Sequence, residues 1–412
     1  MKSPIKIEIR NRGNSHPFAH RTQAMNSLTT SILPVVLLLA ASAPVYSAEP
    51  DNGQETAIYE LGRLVENDDG TIDVNLHNTK VTDAGLMQLS ELKNLRRLDL
   101  TNTNVTDAGL EHVGRMKNLQ RLKLRRTDVS DIGLKHLMGL TKLQYLDLYI
   151  TDVTDAGMVH LEGLAKLQYL NLVRTKVTGV GLERLKGLTE LQGLRLGAKV
   201  NDAGLEHLKG LTNLQTLDLT GANVTDAGLE HLRGLSKLEN LLLWNTKITG
   251  AGLEHLKGLT HLQTLNLLNT KVTDASLEHL KGLTDLRTLV LWNTKVTDAG
   301  LEHLKGLTHL QTLNIRDTKV TDAGLEHLKG LANLETLNLT NTEITGSGLE
   351  HLKGLKKLKK LSIGGTNVTD AGLRHLEGLT NLQYLIIGNR SKITDAGVKK
   401  LKRALPECAI LN

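Results

Sequence analysis

A landmark of the form Val/Ile-Thr-Asp-Ala-Gly-Leu returns along this chain at nearly constant spacing, and no other feature constrains the fold as tightly. It opens at Val81, Val105, Val129, Val153, Val177, Val200, Val224, Ile248, Val272, Val296, Val320, Ile344, Val368 and Ile393. Eleven of the thirteen intervals are 24 residues, one is 23 (177 to 200) and one is 25 (368 to 393). A unit this short cannot enclose its own leucines. Stacked neighbours must bury them, so stability sums over repeats and interfaces, and both ends need caps.

The unit Val320 to Glu343 shows how each repeat is built. Leu337 and Leu339 alternate with Asn338 at the strand period of two, so with Leu334 they point inward. Glu335, Thr336, Asn338 and Thr340 then face solvent. Thr342 is placed to bond the turn that leaves the strand. Eleven repeats carry Thr there (79, 103, 127, 151, 175, 246, 270, 294, 318, 342 and 366), which predicts a threonine ladder. The return half reads as a helix with Asp322 as N-cap and a stripe of Leu325, Leu328 and Leu331. Gly330 falls where a left-handed C-cap is wanted. Gly179, Gly250 and Gly346 replace the capping Asp in three units. A leucine core of this kind accounts for an aromatic content of only 2%.

The pattern L-x-x-L-x-L-x-x-T-x-V/I-T-D-x-G-L resembles the cysteine-containing class of leucine-rich repeats found in F-box substrate receptors. It is closer still to secreted bacterial leucine-rich repeat proteins that put Thr where that class has Cys or Asn. The resemblance covers roughly residues 58–412. It implies an α/β fold: a right-handed horseshoe solenoid with a parallel concave sheet, one strand per repeat, and helices on the convex side. For function it implies protein–protein recognition and nothing narrower, because a fold does not fix a function. No F-box-like helical segment is read in the chain, so a ubiquitin-ligase role is not carried over.

The repeats predict one domain in four stretches: an N-terminal extension and signal peptide at 1–48, an N-terminal cap at 49–80, leucine-rich repeats at 81–392, and the last repeat with a C-terminal cap at 393–412. Ile32 to Ala43 is too short for a comfortable membrane span and contains Pro34. It reads as the apolar region of a secretory signal cleaved near Ser47 or Ala48, with Met1 or Met25 as the start; an uncleaved anchor is the alternative. The chain is therefore expected to be exported, to the periplasm, the cell surface or the medium, without stable membrane insertion after cleavage. Five basic residues against Glu8 give residues 1–48 a net +4 of the total +6, leaving +2 for the body. That near-neutral body argues against a nucleic-acid partner, which needs a concentrated basic footprint. Cys408 is the single cysteine, so neither a lipobox nor a disulfide framework is read.

Residues 55–67, ETAIYELGRLVEN, read as an amphipathic capping helix with Ile58, Leu61 and Val65 on one face. A turn at Asp68-Asp69-Gly70 leads to a first strand through Val74 and Leu76. At the other end a last helix stops at Pro406, and a short strand, Cys408 to Leu411, closes the stack with Cys408 buried. The interval lacking one residue (194–205) and the one with an extra residue (388–397) read as harmless drift in a convex or turn segment, with a functional hinge as the alternative.

No G-x-S-x-G, H-E-x-x-H, P-loop or dinucleotide fingerprint is present, so no catalytic residue, no cofactor and no metal is predicted. The recurring His of L-E-H-L (112, 136, 160, 207, 231, 255, 279, 303, 327, 351 and 375) is expected to be a solvated position copied with the repeat. A zinc site needs ligands converging to about 2 Å, which splayed neighbouring helices disfavour.

The informative positions are those where the repeats differ on the sheet face. The first two units are basic: Arg96, Arg97, Arg121, Lys123, Arg125 and Arg126, with Asp99. The next two are aromatic, with Tyr145, Tyr149 and Tyr169. Units seven to nine are apolar, with Leu242, Trp244, Leu268, Val290 and Trp292. Trp, Tyr and Arg are enriched at binding hot spots, and clustered exposed apolar groups mark interaction surfaces. The expected function is thus a non-catalytic scaffold binding a protein or peptide through Trp244, Trp292, Leu242, Leu268, Val290, Tyr145, Tyr149, Tyr169, Arg121 and Arg125. A glycan or cell-envelope binder, or a self-associating surface protein, is the alternative.

Overall fold

A computed structural model describes residues 8–9, 63–388 and 392–411. The expected signal segment and residues 55–62 of the expected capping helix lie outside these. The chain divides into two compact units, residues 1–197 and 198–412, the boundary falling in the interval that is one residue short.

The first unit opens with a hairpin. Arg63–Glu66 runs antiparallel to Ile72–Asn75 around a turn in which Gly70 takes φ +73°. The helix expected through Val65 is therefore a strand over Arg63–Glu66, with Leu64 as its buried residue. Pairing with Ile72–Asn75 satisfies the backbone groups that an open sheet edge would leave exposed. Glu8–Ile9 also pairs, parallel, with Arg63–Leu64. From Ile72–Asn75 onward the strands Leu95–Asp99, Arg121–Lys123, Tyr145–Asp147, Tyr169–Asn171 and Gly193–Arg195 are parallel, each to the next. The second unit repeats this from Thr216–Asp218 to Ala409–Leu411. Each unit is a leucine-rich repeat solenoid. Leu334, Leu337 and Leu339 are fully buried, as are their counterparts in the other repeats.

The return half is tighter than an α-helix. In the repeat used as the template the α-helix spans only Asp322–Glu326, and other repeats continue as 3-10 turns such as Glu206–Leu208 and Glu230–Leu232. The spacing explains this: a 3-10 helix has about three residues per turn, so leucines three apart stack on one face. Leu325, Leu328 and Leu331 are all buried.

The expected N-cap is corrected. Thr321, not Asp322, is the cap, its hydroxyl accepting from the Ala323 N–H, and Asp322 is the first helical residue. The carboxylate faces the next repeat. Asp298 accepts from Thr321 N–H at 2.7 Å and from its hydroxyl at 2.6 Å; Asp322 does the same for Thr345, with the N–H bond at 2.7 Å. The same clasp joins Asp83 to Thr106, Asp107 to Ser130, Asp131 to Thr154, Asp202 to Thr225 and Asp274 to Thr297. Where Gly250 replaces the Asp, Ser276 stands at the next helical glycine position, and its hydroxyl accepts from Thr273 N–H at 3.0 Å.

Two other expectations change. Gly330 is not left-handed: positive φ occurs instead at the residue before the buried Thr, at Asn102, Asn245, Asn269, Asn293 and Asn341 among others. Asn tolerates that region because its short side chain can bond locally, whereas Ile150, at φ +53°, is a β-branched residue in a costly conformation. The threonines do bond the turn, but within one repeat: Thr342 donates to the Leu339 carbonyl at 2.6 Å and Thr103 to that of Leu100 at 2.7 Å. The ladder is carried by the asparagines: Asn269 donates to Asn245 and Asn293 to Asn269, at 2.8 and 2.7 Å.

The C-terminal helix is Asp395–Ala404, followed by the strand Ala409–Leu411, and Cys408 is buried as expected. The histidines are less solvated than expected. Each is half-buried, and Nδ1 of His112, His231, His279, His303, His327 and His351 is sequestered without a hydrogen-bond partner. The exposed Glu–Lys pairs do form, as between Glu326 and Lys329 at 3.2 Å.

Candidate partner-binding surfaces

In the first unit, parallel register converts single repeats into rows across the sheet. One row runs Asp73, Arg97, Arg121, Tyr145, Tyr169 and Gly193. Tyr145 and Tyr169 stack with centroids 4.3 Å apart and planes 5° from parallel. The Arg121 guanidinium lies over Tyr145 at 4.1 Å from the ring centroid. Gly193 completes the row by leaving space: a Cβ there would meet Tyr169 Cδ2 at 2.8 Å. Burial, with Tyr169 and Asp147 nearby, pushes the Tyr145 hydroxyl pKa up.

The adjacent row is Asn75, Asp99, Lys123, Asp147, Asn171 and Arg195, in which charges alternate. Lys123 pairs with Asp99 at 2.8 Å. Burial opposes ionisation of Asp99, but the bonds from Lys123 and Thr101 prevail and hold its pKa below the ordinary value. Asp147 is 2% exposed, and burial raises its pKa despite bonding to the Tyr149 N–H and the nearness of Arg125. Arg125 lies 3.8 Å from Asp147 and over the Tyr149 ring at 4.7 Å. The basic units are thus largely compensated: Arg96 also meets Asp69 at 3.6 Å and Arg97 meets Asp73 at 3.5 Å.

In the second unit Trp244, Leu268 and Trp292 occupy equivalent places in consecutive repeats. The chain of bonds from Gly221 N–H to the Trp244 carbonyl, Asn245 N–H to Leu268 and Asn269 N–H to Trp292 fixes this. Strands about 4.8 Å apart put the two tryptophan backbones about 10 Å apart. Leu242 and Val290 stand two residues earlier, paired through Asn266. Leu242, Leu268, Val290 and Trp292 are half-buried, and Trp244 is 41% exposed.

The two indoles differ in restraint. Trp292 Nε1 donates to Asp317 Oδ2 at 2.6 Å, and Arg316 lies over its ring at 4.6 Å while bonding the same carboxylate at 3.2 Å. Burial raises the Asp317 pKa, but bonds from Asn341, Trp292 and Arg316 outweigh it and hold the group below its ordinary value. Among the described residues Trp244 has no such anchor. Asp317, Arg316 and Asp73 escaped the sequence reading. The signal available for the first two was Arg-Asp-Thr at 316–318, where the two preceding repeats have Leu-Asn-Thr and Trp-Asn-Thr and the following one has Thr-Asn-Thr.

Among the described residues no group of three or more His, Cys, Asp or Glu side chains converges on a point where a metal ion could sit. Nor is any helix among them long and apolar enough to cross a membrane. Stacked parallel strands over a leucine core, with side-chain variety confined to the outward rows, define a leucine-rich repeat solenoid whose distinctive chemistry lies on its sheet face.

The family comparison agrees. Residues 75–251 match a model described as a leucine-rich repeat region, and residues 284–344 match a second leucine-rich repeat model; the chain is a leucine-rich repeat protein. It is similar in structure to an internalin of Listeria monocytogenes, with 24% identity and a TM-score of 0.63 over 77% of this chain and 87% of that one. It is also similar to a leucine-rich repeat protein of Leptospira interrogans, with 23% identity and a TM-score of 0.64 over 86% and 84%. A TDR receptor structure aligns at 15% identity with a TM-score of 0.52, over 82% of this chain and 63% of that one. At these identities the likeness shows the fold. No curated protein matches the chain by sequence.

Proposed function

We propose that this leucine-rich repeat protein is a non-catalytic scaffold, exported from the cell, that binds a protein or peptide partner through the outward rows of its sheets. The observation that carries the reading is Trp244. A large side chain in a chain with 2% aromatics stands 41% exposed, in a run with Leu268 and Trp292. Exposed apolar clusters of this type, with an aromatic anchor at the centre, are what partner binding uses. In the first unit Tyr145, Tyr149, Tyr169, Arg121 and Arg125 would contribute a second contact surface. There the tyrosine faces are already covered, Tyr145 by Arg121 and Tyr169. That favours a protein ligand over a sugar, which would need a free ring face.

The test is a crosslinking pull-down from the source's envelope and secreted fractions with the wild-type chain and a Trp244→Ala/Trp292→Ala variant of unchanged circular dichroism. One species captured by the wild type and lost by the variant is the expected result. Equal capture by both, or none by either, overturns the tryptophan surface. Export rests on the apolar run Ile32 to Ala43, and N-terminal sequencing of protein recovered outside the cytoplasm checks it.

A further inference from the structure

In the second unit three strips run side by side across consecutive repeats. The first is the apolar run Trp244, Leu268 and Trp292, with Leu242 and Val290 behind it. The second, one residue on, is Asn245, Asn269 and Asn293, bonded to one another through their side chains. The third, two residues further, is Lys247, Lys271 and Lys295, with Lys319 in the same place one repeat on. All four lysines are exposed, and among the described residues none has a carboxylate within ion-pair reach. The clasp carboxylates of these repeats, Asp226, Asp274 and Asp298, are half-buried and already accept from Thr249, Thr297 and Thr321. Asp317 is held by Trp292, Arg316 and Asn341. The opposite flank of the apolar run, Asn240, Thr264 and Thr288, is uncharged. The surface is thus apolar in the middle and cationic along one side.

Spacing selects the shape of what covers it. Trp244 and Trp292 are two strand intervals apart, about 10 Å. An α-helix laid across the repeats advances about 5.4 Å per turn. Apolar residues at i, i+3 or i+4, and i+7 then span about 11 Å and keep step with the three repeats. An extended strand presents side chains on one face every ~6.8 Å, about 14 Å over the same two steps, and falls out of step. Each lysine lies three residues past its apolar partner, at most about 10 Å along the chain. The turns shorten that path, because Asn245, Asn269 and Asn293 take positive φ. A helix about 10–12 Å across therefore covers both strips at once.

We infer that this surface docks an amphipathic α-helix of a partner protein, one helical turn per repeat. Its apolar residues sit on Trp244, Leu268 and Trp292, and acidic residues along one flank meet Lys247, Lys271 and Lys295. The inference rests on the reading of the chain as a binder of protein ligands through its tryptophan surface and names the partner's chemistry. A small anion, or a polyanion without an apolar face, leaves Trp244 in water. A bilayer is disfavoured because Leu268 and Trp292 are half-buried while Asn245, Asn269 and Asn293 beside them are exposed, so polar groups would meet the lipid first.

The experiment uses the full chain and fluorescein-labelled peptide pools, read by fluorescence polarisation. One pool, held helical by a hydrocarbon staple, carries randomised apolar residues at helical spacing with Glu along one flank. A second replaces Glu by Gln, and a third rearranges the first so that apolar and acidic residues alternate at the strand period. Vesicles of phosphatidylglycerol and phosphatidylcholine form the membrane arm. The stapled Glu pool is expected to bind most tightly. Lys247→Gln/Lys271→Gln/Lys295→Gln should weaken it about 3- to 100-fold, the product of three exposed charge pairs, and the loss should shrink in high salt. Lys257→Gln/Lys281→Gln/Lys305→Gln makes the same charge change at exposed positions of the return segments and should leave binding within about twofold. Equal binding of Glu and Gln pools, an alternating pool bound as tightly as the stapled one, or equal effects of the two lysine triples would each overturn the assignment. So would vesicle binding that the first triple abolishes, or no pool binding at millimolar protein. The failures are separable. Pull-down lost in Trp244→Ala/Trp292→Ala with no pool bound sinks the helix alone. A stapled Glu pool bound and lost in the first triple, with equal pull-down by both baits, sinks only the assignment of the captured partner to the tryptophan surface.

Discussion

Replacing Gly324 by Ser sets two structural effects against each other and tests how the repeats are joined. In a helix, exchange of glycine for another residue is ordinarily favourable, by up to ~1 kcal/mol. Here a Cβ at Gly324 would run into Asp298 Oδ1 and approach Val320 Cγ1 at 2.8 Å and Leu301 Cδ1 at 3.1 Å. Overpacking of that kind costs about 1–3 kcal/mol. Displacing the Asp298 carboxylate also breaks its bonds from the Thr321 N–H and hydroxyl, at 2.7 and 2.6 Å. Hydrogen bonds to a charged group contribute about 1.5–3 kcal/mol, less where water reaches the half-buried carboxylate. The net expectation is a destabilisation of about 2–4 kcal/mol, opposite in sign to the propensity argument. The sequence already contains the compensated pair. Gly250 stands in the Asp position and Ser276 in the glycine position of the following repeat, where the Ser hydroxyl takes the Thr273 N–H. Asp298→Gly/Gly324→Ser should therefore be more stable than the sum of its single variants by at least about 1 kcal/mol. Urea unfolding of wild type, both singles and the double supplies the cycle, with matched m-values as the condition for comparing them. A stabilised Gly324→Ser, or additivity within about 0.5 kcal/mol, would refute the shared-space argument.

The two tryptophans should separate in stability: Trp292→Phe loses the bond to Asp317 and costs about 1 kcal/mol, whereas Trp244→Phe stays within about 0.5 kcal/mol. Denaturation midpoints check this, and equal losses would contradict the anchoring. Acid should loosen the stack through the Asp clasps. Burial works against the charged forms of Asp226 and Asp322, but the bonds from Thr249 and Thr345 prevail, and Asp370 is lowered by its bond from Thr394. Because the folded pKa values lie below the unfolded ones, this stability is fully present above the ordinary carboxylate range. It is lost as pH falls through the folded values, below about pH 4. Urea midpoints steady from pH 7 to 5 and falling below pH 4 are expected, with a shallower fall in Asp322→Asn; an Asp322→Asn variant as acid-sensitive as wild type would count against the clasp.

The repeat period, the buried leucines and the column of buried threonines were legible in the sequence because each depends only on local spacing. So was the closing helix with its buried Cys408. The N-cap was misplaced by one residue because Thr and Asp both satisfy a cap, and only the neighbouring repeat shows that the carboxylate of Asp298 is already taken by Thr321. The opening hairpin was misread because ELGRLVEN fits a helical stripe in isolation. What favours a strand at Arg63–Glu66 is the unpaired edge of Ile72–Asn75, which is not local information.

The surface residues divide in the same way. Aromatic and basic residues concentrated at the variable positions of the strands could be read directly, since strand alternation alone sends them outward. Their chemistry was decided by register across repeats about 24 residues apart. Register stacked Tyr145 on Tyr169, laid Arg121 over Tyr145, paired Lys123 with Asp99 and anchored Trp292 on Asp317. The sequence by itself determined a leucine-rich repeat stack, because a short period with inward leucines has one way to bury them. Only the tertiary structure decided which charges are spent on each other and which rings are covered, because ion pairing and stacking depend on side chains that meet between repeats rather than within one.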